Sequence, residues 1–355
     1  MKTTRALADL GQSLWLDNIT RPLLDSGTLA RYIEELDVTG LTSNPTIYDR
    51  AIGGSDSYDA EIAAAAQAGK TGEDTFFEVA LSDLRRAADL FRPVHDRTGG
   101  VDGFVSLEVS PLLAHDTAAT VEQAKRLHAQ GGRPNLFIKI PGTPEGLPAI
   151  EEAIFGGVPV NVTLLFSPAQ YLACAEAYTR GIERRVEAGL PAYVASVASL
   201  FISRWDPATA GQLPSDLQNA LGLAIGRQCY VAYREFFASE RWETLQAAGG
   251  RPQRLLFAST GTKDPSLPAT LYITGLAAPD TVNTMPEETL LASGASEEPV
   301  EALPTVATGV LAPFATAGLD IDAVAGELLR KGAESFVASW TSLLDRIASK
   351  VSAVA

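Results

Sequence analysis

The sequence predicts an α/β fold, a (β/α)8 barrel of the TIM type with extra helices. Three observations predict it. Eight apolar, β-leaning runs recur along the 355 residues. Amphipathic helical patterns fill most of the gaps between them, and strands that alternate with helices imply parallel neighbours, because a parallel pair needs a crossover. No G-x-G-x-x-G opens the first unit, which argues against a doubly wound dinucleotide-binding sheet.

In chain order, the first four runs are SLWLDNI (13–19), VTGLTSN (38–44), VDGFVSLEV (101–109) and NLFIKIP (135–141). VPVNVTLLF (158–166), AYVASVASLF (192–201), RLLFAST (254–260) and TLYITGL (270–276) complete the set. Stretches such as AATVEQAKRLHAQGG and SPAQYLACAEAYTRGIERRVEAG read as crossover helices, and Gly-rich stops end several of them. Two intervals are long. Residues 46–97 are expected to hold two inserted helices, around SYDAEIAAAAQAG and EDTFFEVALSDLRRAADLF, and residues 204–251 a loop and the helix around NALGLAIGRQCYVAYREFF. Segment 278–306, rich in Pro, Thr and Glu, reads as exposed loop, and from about 310 to 355 the chain reads as a helical tail on the outside of the barrel. Neither a repeat nor a linker divides the chain, so residues 1–355 read as a single barrel domain.

The composition is globular, with 46% hydrophobic and 20% charged residues. A net charge of -15, spread along the chain, argues against a basic nucleic-acid surface but not against a phosphorylated small substrate, since a few local arginines hold one phosphate. Cys174 and Cys229 lie in no metal or redox spacing, which fits a reducing cytoplasm. The N-terminal MKTTRALADLGQSLWLD lacks the apolar core of a signal peptide, and no apolar run reaches membrane-spanning length uninterrupted. His95, His115 and His128 show no ligand spacing, and no serine sits in a G-x-S-x-G elbow. Neither metal nor cofactor is expected.

The stretch NLFIKIPGT (135–143) carries the chemistry. Alternation along a strand puts Phe137 and Lys139 on one face and Leu136, Ile138 and Ile140 on the other. In a barrel the apolar face meets the helices, so Lys139 faces the interior near the C-terminal end of its strand, where barrel active sites lie. The same count pairs Trp15 with Asp17, Thr42 with Asn44, Ser106 with Glu108, and Asn161 with Thr163. Polar groups therefore converge at the C-terminal ends of five strands. Three readings of Lys139 stand open: an amine that burial keeps neutral enough to form a Schiff base, a cation that holds a phosphate or carboxylate, and the structural partner of Glu108.

LWLDNITR, GLTSNPTI, SLEVSP, NLFIKIPGTPEGLPAI and NVTLLFS occur in this order, followed by ASLFISRWD, LLFASTGTKDP and VNTMPEETL. This set resembles the transaldolase family over nearly the whole chain. The STGTK version of the seventh motif resembles a longer bacterial branch, sometimes fused to glucose-6-phosphate isomerase. The resemblance implies a class I aldolase-like barrel without metal or cofactor, acting in the non-oxidative pentose phosphate pathway. Sedoheptulose 7-phosphate or fructose 6-phosphate would condense with Lys139, and Asp17 would take the proton of the C4 hydroxyl so that the C3–C4 bond breaks. The dihydroxyacetone unit left on Lys139 would pass to a second aldose phosphate such as glyceraldehyde 3-phosphate.

By the same resemblance, Glu108 and Thr163 match the residues that hold the catalytic water, and Asn44 and Asn161 the amides that grip the dihydroxyacetone hydroxyls. Ser199 and Arg204 match an S-x-x-x-x-R phosphate motif. Where other members carry an arginine just after the seventh-strand serine, this chain reads Ser259, Thr260, Gly261, Thr262, Lys263, so Lys263 is expected to act there as a point charge. The alternatives are a fructose-6-phosphate aldolase-like enzyme, which releases dihydroxyacetone, and a barrel that binds sugar phosphate without turnover. Sugar phosphates are the expected partners, with neither nucleic acid nor membrane; monomer and homodimer both fit.

Overall fold

The structure is a computed structural model that describes residues 1–70, 72–306 and 308–354. Its strands are β1 (Ser13–Asp17), β2 (Val38–Thr42), β3 (Val105–Glu108), β4 (Leu136–Pro141), β5 (Val160–Leu165), β6 (Ser196–Phe201), β7 (Arg254–Ala258) and β8 (Val282–Met285). They pair in parallel in the order β2-β1-β8-β7-β6-β5-β4-β3. Between β2 and β3 the ring is drawn together by Leu41 N–H donating to the Phe104 carbonyl at 3.0 Å, and by Ser43 Oγ donating to the Ser106 carbonyl at 2.7 Å. The result is the (β/α)8 barrel that the alternation of strand and helix predicts.

The pleat sorts the side chains. Leu14, Leu16, Ile138, Ile140, Val160 and Val162 are fully buried under the helices. Inside, Phe104 stacks on Phe137 with centroids 4.1 Å apart, and Trp15 lies 6.1 Å from Phe137. The Trp15 indole N–H donates to Asp102 at 2.8 Å, so the ring is fixed. Gly40 on β2 is required beside it: a Cβ there would come within 2.7 Å of both Trp15 and the Phe104 carbonyl oxygen. This aromatic layer fills the N-terminal half of the barrel and leaves the next inward layer, one pleat further on, to polar residues.

Three expectations are corrected. TLYITGL is not a strand; Leu271–Gly275 is a short helix, and the eighth strand is Val282–Met285. Ile273 and Thr274 favour a strand by propensity, but Tyr272 and Ile273 bury as part of the helix, with the Tyr272 hydroxyl donating to Asp206. β8 hid itself because it is four residues long and two of them, Asn283 and Thr284, are polar yet buried. Segment 278–306 therefore holds β8 and the helix Glu287–Ala295 besides loop. Among the described residues the interval after β2 carries three α-helices rather than two, Pro45–Gly53, Asp59–Gln67 and Gly72–Arg97.

The tail is helical, as Ile321–Val354, but it lies across the C-terminal end of the barrel as well as against its outer helices. Gln170, in the helix after β5, donates to the Ala325 carbonyl at 3.4 Å. At the far end Thr46 and Ser339 hydroxyls meet at 2.8 Å, Arg346 holds Asp49 at 2.5 Å, and Lys350 holds Asp59 at 2.5 Å. Trp340 is buried against Phe76 and Phe77. From Ala325 to Lys350 a helix rises about 37 Å, enough to cross the barrel. Among the described residues no helix is long and apolar enough to cross a membrane.

Candidate active site

Register places Lys139 between Glu108 on β3 and Asn161 on β5. The lysine is 4% exposed. Its ammonium donates to the Ser43 carbonyl at 3.0 Å and lies 3.3 Å from Glu108 Oε2. The ion pair foreseen as one reading is thus present, yet Glu108 Oε2 accepts no hydrogen bond among the described residues. Thr163 Oγ1, inward-facing on the next strand but one, is also buried without a hydrogen-bond partner. Glu108 Oε2 keeps its ion pair to Lys139, whereas a buried hydroxyl left like Thr163 Oγ1 costs about 1–3 kcal/mol and marks a place shaped for a group outside the fold. Burial pushes the Glu108 carboxyl above the usual range; Lys139 and Arg204 oppose the shift, and Asp17 adds to it.

Asp17 ends β1 half-buried. Thr42 Oγ–H donates to its Oδ1 at 2.7 Å, and Thr284 Oγ1 lies 2.7 Å from Thr42 Oγ1. A hydroxyl has one proton, so Thr284 donates to Thr42 and Thr42 to the carboxylate. Burial raises the Asp17 pKa, while Lys139, Thr42 and Lys263 pull it down. Asp17 also lines a cleft of about 740 Å³ together with Asn18, Arg50 and Glu287.

Asn161 is fully buried, donating to Ser106 Oγ at 3.1 Å and accepting from Ser199 Oγ at 2.7 Å. Ser199 therefore joins Asn161 inside the barrel rather than Arg204 outside β6. Asn44 caps the helix Pro45–Gly53: its Oδ1 accepts from Ile47 N–H at 3.1 Å, and Pro45 follows at the first helical position. Just past Thr163 the β5–β6 register slips by one residue, and Leu164 takes φ +62°. Such a bulge re-aims side chains beside it, and the left-handed backbone at a leucine is strained.

Arg204 follows β6, half-buried, with its guanidinium carbon 5.2 Å from the Phe201 ring centroid. Among the described residues it has no hydrogen-bond acceptor and no carboxylate within ion-pair distance. Burial depresses its pKa, and Glu108 opposes that. Ser259 sits at φ +54°, a second strained position, with its hydroxyl 2.9 Å from Ser203 Oγ and its carbonyl accepting from Ser203 N–H at 3.0 Å. These bonds lock the loops after β6 and β7 together. Lys263 is exposed in the second loop, near enough to lower the Asp17 pKa.

Lys139, Glu108, Asp17, Asn161, Thr163 and Ser199 thus come together, while Asn44, Ser259 and Lys263 stand on the surrounding loops. Three groups escaped the sequence reading. Thr284 would have been found had 282–285 been taken as a strand; Ser203 is one residue from Arg204; the Ser43 carbonyl is backbone and leaves no signal. Among the described residues no three His, Cys, Asp or Glu side chains cluster as metal ligands.

The family model described as transaldolase/fructose-6-phosphate aldolase matches residues 14–347. Among curated proteins, the chain is 46% identical to the "Transaldolase" of Acidothermus cellulolyticus, covering 96% of this chain and 95% of that one. It is 44% identical to the "Transaldolase" of Thermobifida fusca over 98% of each chain, and 38% identical to "Transaldolase 2" of a Nostoc species over 97% and 96%. With eight parallel strands around an inward lysine and these likenesses along nearly its whole length, the chain belongs to the transaldolase/fructose-6-phosphate aldolase family.

Proposed function

We propose that this chain is a transaldolase-type transferase that carries a dihydroxyacetone unit on Lys139, from sedoheptulose 7-phosphate or fructose 6-phosphate to an aldose phosphate. One observation carries the assignment of residues: a buried lysine at the C-terminal end of β4 stands beside two buried oxygens, Glu108 Oε2 and Thr163 Oγ1, that the fold leaves without hydrogen bonds.

The Lys139 amine adds to the C2 carbonyl of the ketose, and the carbinolamine loses water to give the iminium. Glu108 and Thr163 flank that water and move its protons. Asp17 takes the proton of the C4 hydroxyl; the C3–C4 bonding pair flows into the iminium, the aldose leaves, and an enamine remains on Lys139. A second aldose enters, C3 of the enamine attacks its carbonyl carbon, and Asp17 returns the proton to the new hydroxyl. Water then adds to the iminium and frees the lengthened ketose. A carboxyl pushed above the ordinary aspartate range suits Asp17 to both directions, since proton transfer is most efficient when the pKa nears the working pH.

Asn161, held by Ser106 and Ser199, and Asn44, whose Oδ1 is spent on its helix cap, offer amide hydrogens to the dihydroxyacetone hydroxyls. Arg204, a half-buried guanidinium with no carboxylate partner among the described residues, is the fork for the substrate phosphate. Ser259 and Lys263 complete that subsite, the lysine as an exposed point charge in place of a second fork. Two buried free thiols, Cys174 and Cys229, support a reducing cytoplasm as the working compartment.

Acceptor dependence tests the reading. With fructose 6-phosphate alone the enzyme should stall after the first half-reaction, and with erythrose 4-phosphate it should form sedoheptulose 7-phosphate and glyceraldehyde 3-phosphate in equal amounts. Steady release of free dihydroxyacetone at the same rate without acceptor would instead mark an aldolase.

A further inference from the structure

The C-terminal helix Ile321–Val354 contains two glycines, Gly326 and Gly332. A glycine inside a helix lowers its stability relative to alanine, so each position raises the question of what a side chain would disturb. At Gly326 it would disturb nothing: a Cβ there meets no atom within 4 Å. Gly332 is different. It is buried, and a Cβ on it would lie 3.0 Å from Leu164 Cδ2, 3.5 Å from Arg204 Nη1 and 3.8 Å from Phe166 Cε2.

Of these contacts only the one to Leu164 is tight for a Cβ, and a longer side chain would have to displace the others as well. Leu164 sits on the β5 bulge at φ +62°, one residue beyond Thr163. Phe166 N–H donates to Gln170, whose amide in turn holds the Ala325 carbonyl of the same C-terminal helix. The helix is tied on both sides of Gly332, by Gln170 at the Ala325 carbonyl and by Arg346 and Lys350 to Asp49 and Asp59. Arg204 is therefore flanked by the Phe201 ring and by bare helix backbone at Gly332.

We propose that Gly332 is a positioning residue for the phosphate subsite. By presenting no side chain, it lets the C-terminal helix close over the barrel mouth while leaving the Arg204 guanidinium free to fork onto the substrate phosphate. The inference rests on the assignment of Arg204 to that phosphate, and it adds that the helix is a wall of the subsite whose clearance is set at one residue. The Cβ itself would meet Arg204 Nη1 at 3.5 Å, an ordinary contact, so a side chain that extends beyond the Cβ pushes the guanidinium out of line and weakens binding of phosphorylated sugars. None of the three atoms nearest this position belongs to Lys139 or Glu108, so the amine itself is not pressed.

The test compares Gly332→Ala, Gly332→Leu, Gly326→Ala and Arg204→Ala in the full chain. One readout is KM and kcat with fructose 6-phosphate as donor. The other is borohydride trapping of dihydroxyacetone, which has no phosphate, on Lys139. Gly332→Leu should raise KM by about tenfold or more, the range lost with one charge-assisted contact, and trap dihydroxyacetone as the parent does. Gly332→Ala, whose Cβ makes only an ordinary contact with Arg204, should change KM far less than Gly332→Leu, and Gly326→Ala should leave it unchanged. If Gly332→Leu keeps the parent KM while Arg204→Ala raises it, the inference about Gly332 fails and the phosphate assignment survives. Should Arg204→Ala itself leave KM unchanged, the phosphate assignment fails and takes the inference with it. Parallel loss of dihydroxyacetone trapping in both Gly332 variants would mean general distortion of the barrel mouth and would also overturn the proposal.

Discussion

Replacing Thr42 by valine isolates one hydrogen bond to the proposed proton carrier. Valine keeps the branched shape and removes only the hydroxyl that donates to Asp17 Oδ1 at 2.7 Å. A hydrogen bond to a charged group contributes about 1.5–3 kcal/mol, and one pKa unit is about 1.4 kcal/mol, so the change is about 1–2 units. The sign follows from the donor's preference for the ionised carboxylate. Losing it makes ionisation harder, and a pKa that burial already holds above the usual value rises further. Asp17 must be ionised to accept the C4 hydroxyl proton, so the acid limb of the kcat/KM profile, which reports the free enzyme, should move to higher pH by about 1–2 units. Glu108 also titrates high, but Thr42 makes no hydrogen bond to it, so the shift belongs to Asp17. Thr284→Val, which acts only through Thr42, should shift the limb the same way by less. An acid limb that stays in place in Thr42→Val, or moves to lower pH, would refute the assignment of Asp17 to the proton transfer.

Two further changes probe the cost of building the site. Asp17→Asn should abolish turnover but raise the thermal midpoint at pH 7, because a carboxyl whose folded pKa is raised penalises the fold when ionised. That advantage should shrink as pH falls through the folded pKa and vanish below the ordinary aspartate value, where both states are protonated; a pH-independent difference between variant and parent would contradict it. Gly40→Ala should destabilise by about 1–3 kcal/mol in denaturant unfolding, since its Cβ would press on Trp15 and the Phe104 carbonyl at 2.7 Å. An unchanged midpoint would mean that the aromatic floor of the barrel is looser than described.

The inward face of the barrel was legible wherever a strand was long enough to show its period. Leu136, Ile138 and Ile140 on one side of β4 leave Lys139 on the other, and the same count gave Glu108, Asn161 and Asp17. β8 was not legible: of its four residues only Val282 and Met285 are apolar, on opposite faces, and Asn283 and Thr284 are polar yet buried beside them, so no hydrophobic period shows. The helix Leu271–Gly275 misled for the converse reason, since β-branched residues suit any half-buried surface. Ser199 shares a motif with Arg204 but points into the barrel, because the alternation that puts it on the Asn161 face ends before the arginine. The path of the C-terminal helix over the mouth depends on contacts more than 150 residues apart in sequence, such as Gln170 with Ala325, and amphipathicity alone does not say which end of a barrel a helix covers.

The central claim is that the covalent chemistry belongs to one amine. Reduction with borohydride in the presence of fructose 6-phosphate, followed by peptide mass mapping, tests it most directly. The account predicts a single dihydroxyacetone-derived adduct on the peptide that contains Lys139, and none in Lys139→Ala. An adduct on any other lysine, or continued trapping in that variant, would contradict it.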